Sequence, residues 1–395
     1  MNIYLYNCPN TFNYGSMMMG ENFISYFNKI TSEKNKYYVE TDEKINVIRL
    51  QEATGINEIY PVPMNSLFKD GTQKYDYIYS YLKLKNINSD LITKIDLVVI
   101  LGGDDFTEDY GWKPPVINAI RFNILKRAGL KIVMVGQTMG PYNSFRKPVM
   151  KYLLSKIDKI YLRDPITSNY LNECGLKNIA ITDDLALLSL TRQEVKGRIK
   201  EYITYCPSEL IYRFSKEGDR QDWINFNLFM IDKIMEKYPN KKMVLLAHVL
   251  KPEQSDDRII VNELYGIVKH KYEDKIIIEN NEMYPYEVRN YIQQSIFTIS
   301  SRMHPVISSI QCEIPAIALA YSSKYWGIIG ERYGLSDYII DVRHLTYIEM
   351  KQKFTKLLNN IELEYEHVQQ KMGDKNKLVN KTIMKTLKEI SNINN

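Results

Sequence analysis

The chain has 395 residues, 45% of them apolar and 25% charged, with a formal net charge of +5 at pH 7. That length exceeds one ordinary core and predicts about two domains, and the composition is that of a soluble globular protein, not a fibrous or disordered one. The mild basic balance fits an anionic substrate, or attraction to an anionic membrane surface with peripheral association; with no nucleic-acid motif in the chain, nucleic acid is excluded as the expected partner.

Along the chain, short apolar runs alternate with amphipathic stretches. Residues 2–6, NIYLY, read as a strand, and residues 13–27, NYGSMMMGENFISYF, as a loop entering a helix. Residues 95–105, IDLVVILGGDD, form an apolar strand ending in a glycine turn, and residues 131–141, KIVMVGQTMGP, repeat that design. Residues 159–176, KIYLRDPITSNYLNECGL, give a strand, a charged turn and a helix opened by Pro165 and closed by Gly175. Residues 178–188, NIAITDDLALL, close the first half. The second half starts again with a strand at 202–206, a helix at 221–240 and a strand at 242–249, then strands at 275–280, 295–300 and 316–320 with helices between. Residues 345–372 read as helical, and the polar tail from Gly373 is expected to fray or to pack across the domains.

Apolar strands separated by helices indicate parallel sheets covered on both faces. The expected fold is α/β, with two Rossmann-like doubly wound domains facing a cleft. The polar stretch 189–202 places the boundary so that the domains run over 1–193 and 194–395. Cys8, Cys174, Cys206 and Cys312 lie far apart without a C-x-x-C pair, which argues against a zinc site or a disulfide framework and suits a reducing compartment. No stretch approaches the roughly 18 apolar residues of a membrane span, and MNIYLYNCPN lacks the basic start and long apolar region of a signal peptide. The expected location is the cytoplasm, including the inner face of the plasma membrane.

In doubly wound sheets, ligands bind beyond the carboxyl ends of the strands, so the turns after strands carry the candidate chemistry. In SSRMHP, residues 300–305, a strand gives way to a helix. Ser301, Arg302, Met303 and His304 are expected to form its loop and cap, where free backbone N–H groups, a guanidinium fork and an imidazole make an anion site containing an acid. The opposing reading is a capping arginine beside a core-edge histidine. In LGGDDF, Gly103 permits close backbone approach, and Asp104 or Asp105 would orient sugar hydroxyls or accept a proton; a tight turn with solvated acids is the alternative. Gln137 in VGQTMGP would present its amide to the cleft or be structural, and Arg163 would be a second guanidinium for the anion or an ion-pair residue. His248, followed by Asp256 and Asp257, would serve acid–base or, less well by spacing, metal chemistry; Lys324 and Arg213 are further cations. There is no dinucleotide fingerprint, P-loop or nucleophile elbow.

These pieces, in this order, resemble the polysaccharide pyruvyl transferase family. The matching segments include NYGSMMMGENF, DLVVILGGDDF, VMVGQTMGP, IYLRDPITSNYLNECGLKNIAITDDLALL, LLAHV and SSRMHPVISSIQCEIPAIALAY, spread over most of residues 1–345. The resemblance implies a GT-B-like fold, with the acceptor on the first domain and phosphoenolpyruvate on the second. It implies transfer of pyruvate from phosphoenolpyruvate, a co-substrate and not a cofactor, to a sugar of a lipid-linked or nucleotide-linked glycan precursor. The products would be a ketal and phosphate, and no metal would be required. Arg302 and His304 match the family's R-x-H motif for donor binding and acid catalysis, and Arg163 matches a further arginine position. Gly15 is followed here by Ser16 where the family often has Gly–Asp, and GGDDF lacks the commoner third glycine. The alternative expectation is a nucleotide-sugar-dependent GT-B glycosyltransferase, which would release nucleotide instead of phosphate.

Overall fold

Five consecutive apolar residues, Leu97–Leu101, are all buried, as a strand sandwiched between helical layers must be. They form one of thirteen strands in a computed structural model that describes the chain except residues 9, 32–33, 70–85, 195–199 and 394–395. The chain divides into two units: Met1–Thr11, Met19–Leu185 and Val379–Asn395 form the first, and Phe12–Met18 with Ala186–Leu378 the second.

The first unit holds strands β1 (Asn2–Tyr6), β2 (Lys36–Glu40), β3 (Ile59–Val62), β4 (Leu97–Leu101), β5 (Lys131–Gln137), β6 (Lys159–Leu162) and β7 (Ile179–Ile181). They pair in parallel in the order β3-β2-β1-β4-β5-β6-β7. The second unit holds β8 (Tyr202–Cys206), β9 (Lys242–Leu246), β10 (Ile276–Glu279), β11 (Ser295–Ser300), β12 (Ala316–Ala320) and β13 (Ile339–Asp341), in the order β10-β9-β8-β11-β12-β13. Each sheet grows outward from its first strand in one direction and then reverses. The reversals fall between β1 and β4 and between β8 and β11, and beyond such a switch point the loops part to leave a crevice.

Helices supply the covering layers. In Arg220–Lys237, Asp219 caps the start by accepting from the Asp222 N–H at 2.8 Å, and Trp223, Phe226, Asn227, Met230, Ile231 and Ile234 form the buried face. No helix among the described residues is long and apolar enough to cross a membrane.

Three strands escape the apolar-run criterion: β2 is KYYVE, β3 is IYPV and β13 only IID. Of the two expectations for the C-terminal tail, fraying is not met, whereas Val379–Asn395 does group with the first unit and the residues before it with the second. The C-terminal segment forms two helices, Tyr347–Asn360 and Tyr365–Ser391, and the second runs through Gly373 without fraying. Val379, Ile383, Leu387 and Ile390 are buried there at helical spacing, one apolar stripe amid polar neighbours. The units also differ from a simple halving at 193/194, because Phe12–Met18 groups with the second and Val379–Asn395 with the first; part of the expected boundary, 195–199, lies outside the described residues.

At the carboxyl end of β6, Arg163 is 1% exposed. Its Nη1 donates to Asp184 Oδ2 at 2.7 Å and its Nε to Thr138 Oγ1 at 2.9 Å. Asp164 caps the next helix, accepting from the Thr167 N–H at 2.8 Å and from the Thr138 hydroxyl at 2.9 Å. Arg163 thus knits the ends of β5, β6 and β7 together. Deleting one partner of a buried pair typically costs about 3–5 kcal/mol, because the other charge is stranded. Arg163→Met should therefore lower the urea midpoint sharply, and adding Asp184→Leu should recover much of the loss. Unchanged stability in Arg163→Met would instead point to a ligand-binding guanidinium.

Candidate functional site

The R-x-H segment lies at the carboxyl end of β11, beside the switch point of the second sheet. Ser301 N–H still bonds to the carbonyl of Cys206 at the end of β8, at 2.9 Å. Arg302 takes extended backbone angles (φ −105°, ψ 143°) as N-cap of the helix Met303–Gln311. Met303 and His304 therefore belong to the first turn, slightly earlier than the sequence suggests, with Pro305 third. Met303 is 3% exposed and packs into the core.

Arg302 is buried and fixed from one side. Its Nε reaches both carboxylate oxygens of Asp257, at 3.2 and 3.1 Å, while Nη2 donates to Asp257 Oδ1 at 2.7 Å and to the Ser255 carbonyl at 2.8 Å. Nη1 makes no hydrogen bond among the described residues, so one edge of the fork is left for a ligand. Burial works against the charge, but Asp257 outweighs it and keeps the guanidinium protonated. Burial also pushes the Asp257 carboxyl up from its ordinary value, a tendency that Arg302 and the Val249 N–H oppose.

His304 is half-buried against a backbone instead of a side chain. A Cβ placed on Gly15 would lie 2.1 Å from His304 Nδ1 and 2.4 Å from its Cγ. Only a residue without a side chain lets the imidazole lie there. The segment before Gly15 is pinned within the same unit. Asn13 bridges Val249 in antiparallel fashion, Leu250 N–H donates to the Phe12 carbonyl at 2.9 Å, and Tyr14 N–H donates to the His248 carbonyl at 3.3 Å. The Tyr14 ring meets His248 edge-on at 5.4 Å, and its hydroxyl accepts from the Met283 N–H at 2.9 Å. Ser16 N–H faces Asn13 Oδ1 at 3.5 Å, a long capping contact.

His248, just past β9, is 1% exposed, and its Nε2 has no hydrogen-bond partner among the described residues. Burial first, then the positive charges of His304 and Arg302, hold its pKa well below the usual 6.5. His248 is therefore neutral at pH 7. Neither following carboxylate joins it in a metal set: Asp257 serves Arg302, and Asp256 is held by Arg258 at 2.6 Å.

Lys324, after β12, supplies a second cation. It is 8% exposed, its Nζ lies 3.4 Å from the Tyr321 hydroxyl, and it stands over the Tyr321 and Tyr325 rings at 5.0 and 5.9 Å. Tyr325 donates to the Ser301 carbonyl at 3.0 Å, tying this turn to the R-x-H turn. Arg213 is exposed on a short helical turn over the Tyr212 ring. The second unit thus gathers Arg302, His304, His248, Gly15 and Lys324. Sequence reasoning named these but missed Tyr14, Tyr321, Tyr325 and the anchoring role of Asp257.

The other candidates belong to the first unit. Asp104 and Asp105 follow β4 at its switch point, where Asp104 Oδ2 accepts from Tyr110 at 2.7 Å and the exposed Asp105 accepts from Asn7 Nδ2 at 3.1 Å. A Cβ on Gly103 would sit 2.4 Å from Asp105 Oδ2, so this glycine makes room for that carboxylate. Gln137 is fully buried and donates to the Ile100 carbonyl at 3.1 Å, bracing β5 against β4.

Comparison with known proteins places this arrangement. Residues 13–323 match the family model described as polysaccharide pyruvyl transferase. The amylovoran biosynthesis protein AmsJ of Erwinia amylovora is 22% identical over 317 residues, which cover 76% of this chain and 75% of AmsJ. Among solved structures, a putative UDP-N-acetylglucosamine 2-epimerase from Listeria monocytogenes superposes with a TM-score of 0.61 at 10% identity, covering 94% of this chain and 89% of its own. UDP-GlcNAc 2-epimerase from Neisseria meningitidis, bound to UDP-GlcNAc, gives 0.60 at 11% identity, covering 98% and 100%. At such identities the structural likeness speaks for the fold alone, two Rossmann-like domains of GT-B type. The family match spans every second-unit residue gathered above except Lys324, which lies one residue beyond it, and this chain is a transferase that belongs to the polysaccharide pyruvyl transferase family.

Proposed function

We propose that the protein transfers pyruvate from phosphoenolpyruvate to a sugar of a cell-surface polysaccharide precursor, forming a cyclic ketal and releasing phosphate. The observation that carries this reading is the set at the carboxyl edge of the second sheet: a guanidinium fixed by a buried carboxylate with Nη1 left over, a nearly buried lysine, and an imidazole seated on a glycine. Phosphoenolpyruvate carries a carboxylate and a phosphate, so it calls for two cations, and Arg302 with Lys324 supplies them.

His304 delivers a proton to the methylene carbon, which turns the neighbouring carbon electrophilic. A neighbouring anionic phosphate favours the imidazolium needed for that step, and neutral His248 does not compete as a proton carrier. One sugar hydroxyl adds to the electrophilic carbon, phosphate departs with the carbon–oxygen bond pair, and a second hydroxyl closes the ketal. Of the two hydroxyl protons lost, one is balanced by the new methyl group and the other leaves with phosphate. On the first unit we assign Asp104 and Asp105 to hydroxyls of the acceptor, because their carboxylates stand at the sheet's switch point. Arg163 and Gln137, both buried and bonded within the first unit, take structural roles in this reading. AmsJ, named for amylovoran biosynthesis, supports a polysaccharide product.

The direct test is phosphate release from phosphoenolpyruvate across a panel of lipid-linked and nucleotide-linked sugars, with mass spectrometry for the added pyruvate. Nucleotide release from a nucleotide sugar, without consumption of phosphoenolpyruvate, would establish a glycosyltransferase instead. His304→Gln should lower kcat by about 10²–10⁴, the usual worth of positioned proton transfer, with phosphoenolpyruvate affinity by calorimetry nearly unchanged; wild-type turnover would remove the proposed acid. Arg302→Ala strands Asp257 and risks unfolding, so Arg302→Lys is the better probe. It should raise the KM for phosphoenolpyruvate at least about tenfold, in line with the 1.5–3 kcal/mol of a charged hydrogen bond, and an unchanged KM would refute the clamp. Gly15→Ala should turn the imidazole away, so that kcat falls and KM does not; a rise in KM alone would mark Gly15 as a donor contact.

A further inference from the structure

The helix Arg146–Leu154 of the first unit buries Met150, Leu153 and Leu154 against the core. Its other side is unusual for a surface. Phe145 is 66% exposed, Val149 40% and Tyr152 53%, and Lys156 beyond the helix is exposed too. Positions 145, 149, 152 and 156 step by four, three and four, which sets them along one stripe. A second apolar group adjoins it: Trp112 is 42% exposed and Tyr110 45%. The Arg146 guanidinium lies 5.6 Å from the Trp112 ring and 5.9 Å from the Phe145 ring, so both rings belong to one patch.

Along the helix the charge is one-sided, while acids gather on the loop before Tyr110, where Asp104 accepts from the Tyr110 hydroxyl and Asp109 is exposed. Across residues 141–157 there are four basic residues, Arg146, Lys147, Lys151 and Lys156, and no aspartate or glutamate. Glu108 ties up Arg146 at 2.6 Å, which leaves three exposed lysines, and Lys113 flanks Trp112 at 5.8 Å. Single exposed apolar side chains need no explanation, but a contiguous patch whose helical side carries only basic residues marks an interaction surface.

We propose that this face docks the protein peripherally on an anionic phospholipid bilayer. Tryptophan and tyrosine favour the headgroup level, where ring and polar tip are both satisfied. Phe145 and Val149 enter the acyl boundary, as the apolar side of an interfacial helix does. The lysine stems lie along the apolar surface while their ammonium groups reach lipid phosphates. Charge complementarity selects anionic lipid over a neutral saccharide, which would use the rings but not the lysines. The inference does not depend on the donor proposed above.

The test is co-sedimentation of the full-length protein with vesicles of phosphatidylcholine, with or without about one third phosphatidylglycerol. The protein should sediment with anionic vesicles, and added salt should release it. Lys147→Gln with Lys151→Gln should weaken binding by about tenfold or more, at roughly fivefold for each cation near the surface. Phe145→Ser with Tyr152→Ser should weaken it similarly, and both variants should keep the wild-type melting temperature because the altered residues are exposed. Trp112 fluorescence should shift to the blue on anionic vesicles, and Trp112→Phe should abolish that shift. Failure to sediment with anionic vesicles, equal binding by the variants, or a Trp112 shift produced by a soluble oligosaccharide but not by vesicles would overturn the proposal.

Discussion

The second unit turns on one ion pair. Asp257, fully buried at the start of the helix Arg258–Val268, accepts from the Val249 backbone and grips Arg302 along one edge of its fork. A lone guanidinium in that environment would be costly to keep charged. Paired, it stays ionised, and its remaining nitrogen faces a fixed direction. Asp257 therefore does two jobs at once: it joins the loops after β9 and β11, and it makes a cation available without letting the side chain wander.

The same economy appears around His304. Its orientation comes from a bare α-carbon on the helix Tyr14–Ile30, whose start is laced to residues 248–250 by backbone hydrogen bonds. Tyr14 fills the space beside His248, and burial keeps that second imidazole neutral. Of the two histidines, His304 is partly exposed and His248 is sealed from solvent.

Much of the architecture was legible because local pattern carries it. Apolar runs such as LVVIL and AIALA can be satisfied only inside a covered parallel sheet, and Pro165 and Gly175 bracket their helix as punctuation. Arg302 and His304 were legible as a strand-to-helix turn. Strands β2 and β13 were not, because KYYVE and IID depend on tertiary neighbours for their burial. The final helix was legible only as far as Met372, because beyond it one apolar residue in three or four is outvoted by lysine and asparagine in any compositional reading. The partners of the site residues were illegible for a deeper reason. Nothing near Arg302 announces Asp257, and nothing near His304 announces Gly15; those contacts exist only once the chain has folded back on itself. Arg163 shows a related difficulty: the sequence places a cation at a strand end, and only the folded chain shows it 1% exposed, with Thr138 on its Nε and Asp184 on its Nη1.

The grouping of Phe12–Met18 with the second unit has a practical consequence for anyone dissecting this chain. A cut in the 189–202 stretch would yield a C-terminal fragment stripped of Tyr14 and Gly15. It would present the fully buried edge beside His248 to solvent and leave the R-x-H imidazole without its seat. An N-terminal deletion of even twenty residues would likewise damage both halves, removing a central strand from one and a strut from the other. By the same grouping, residues 12–18 belong with the C-terminal portion, and residues 379–395 with the N-terminal one.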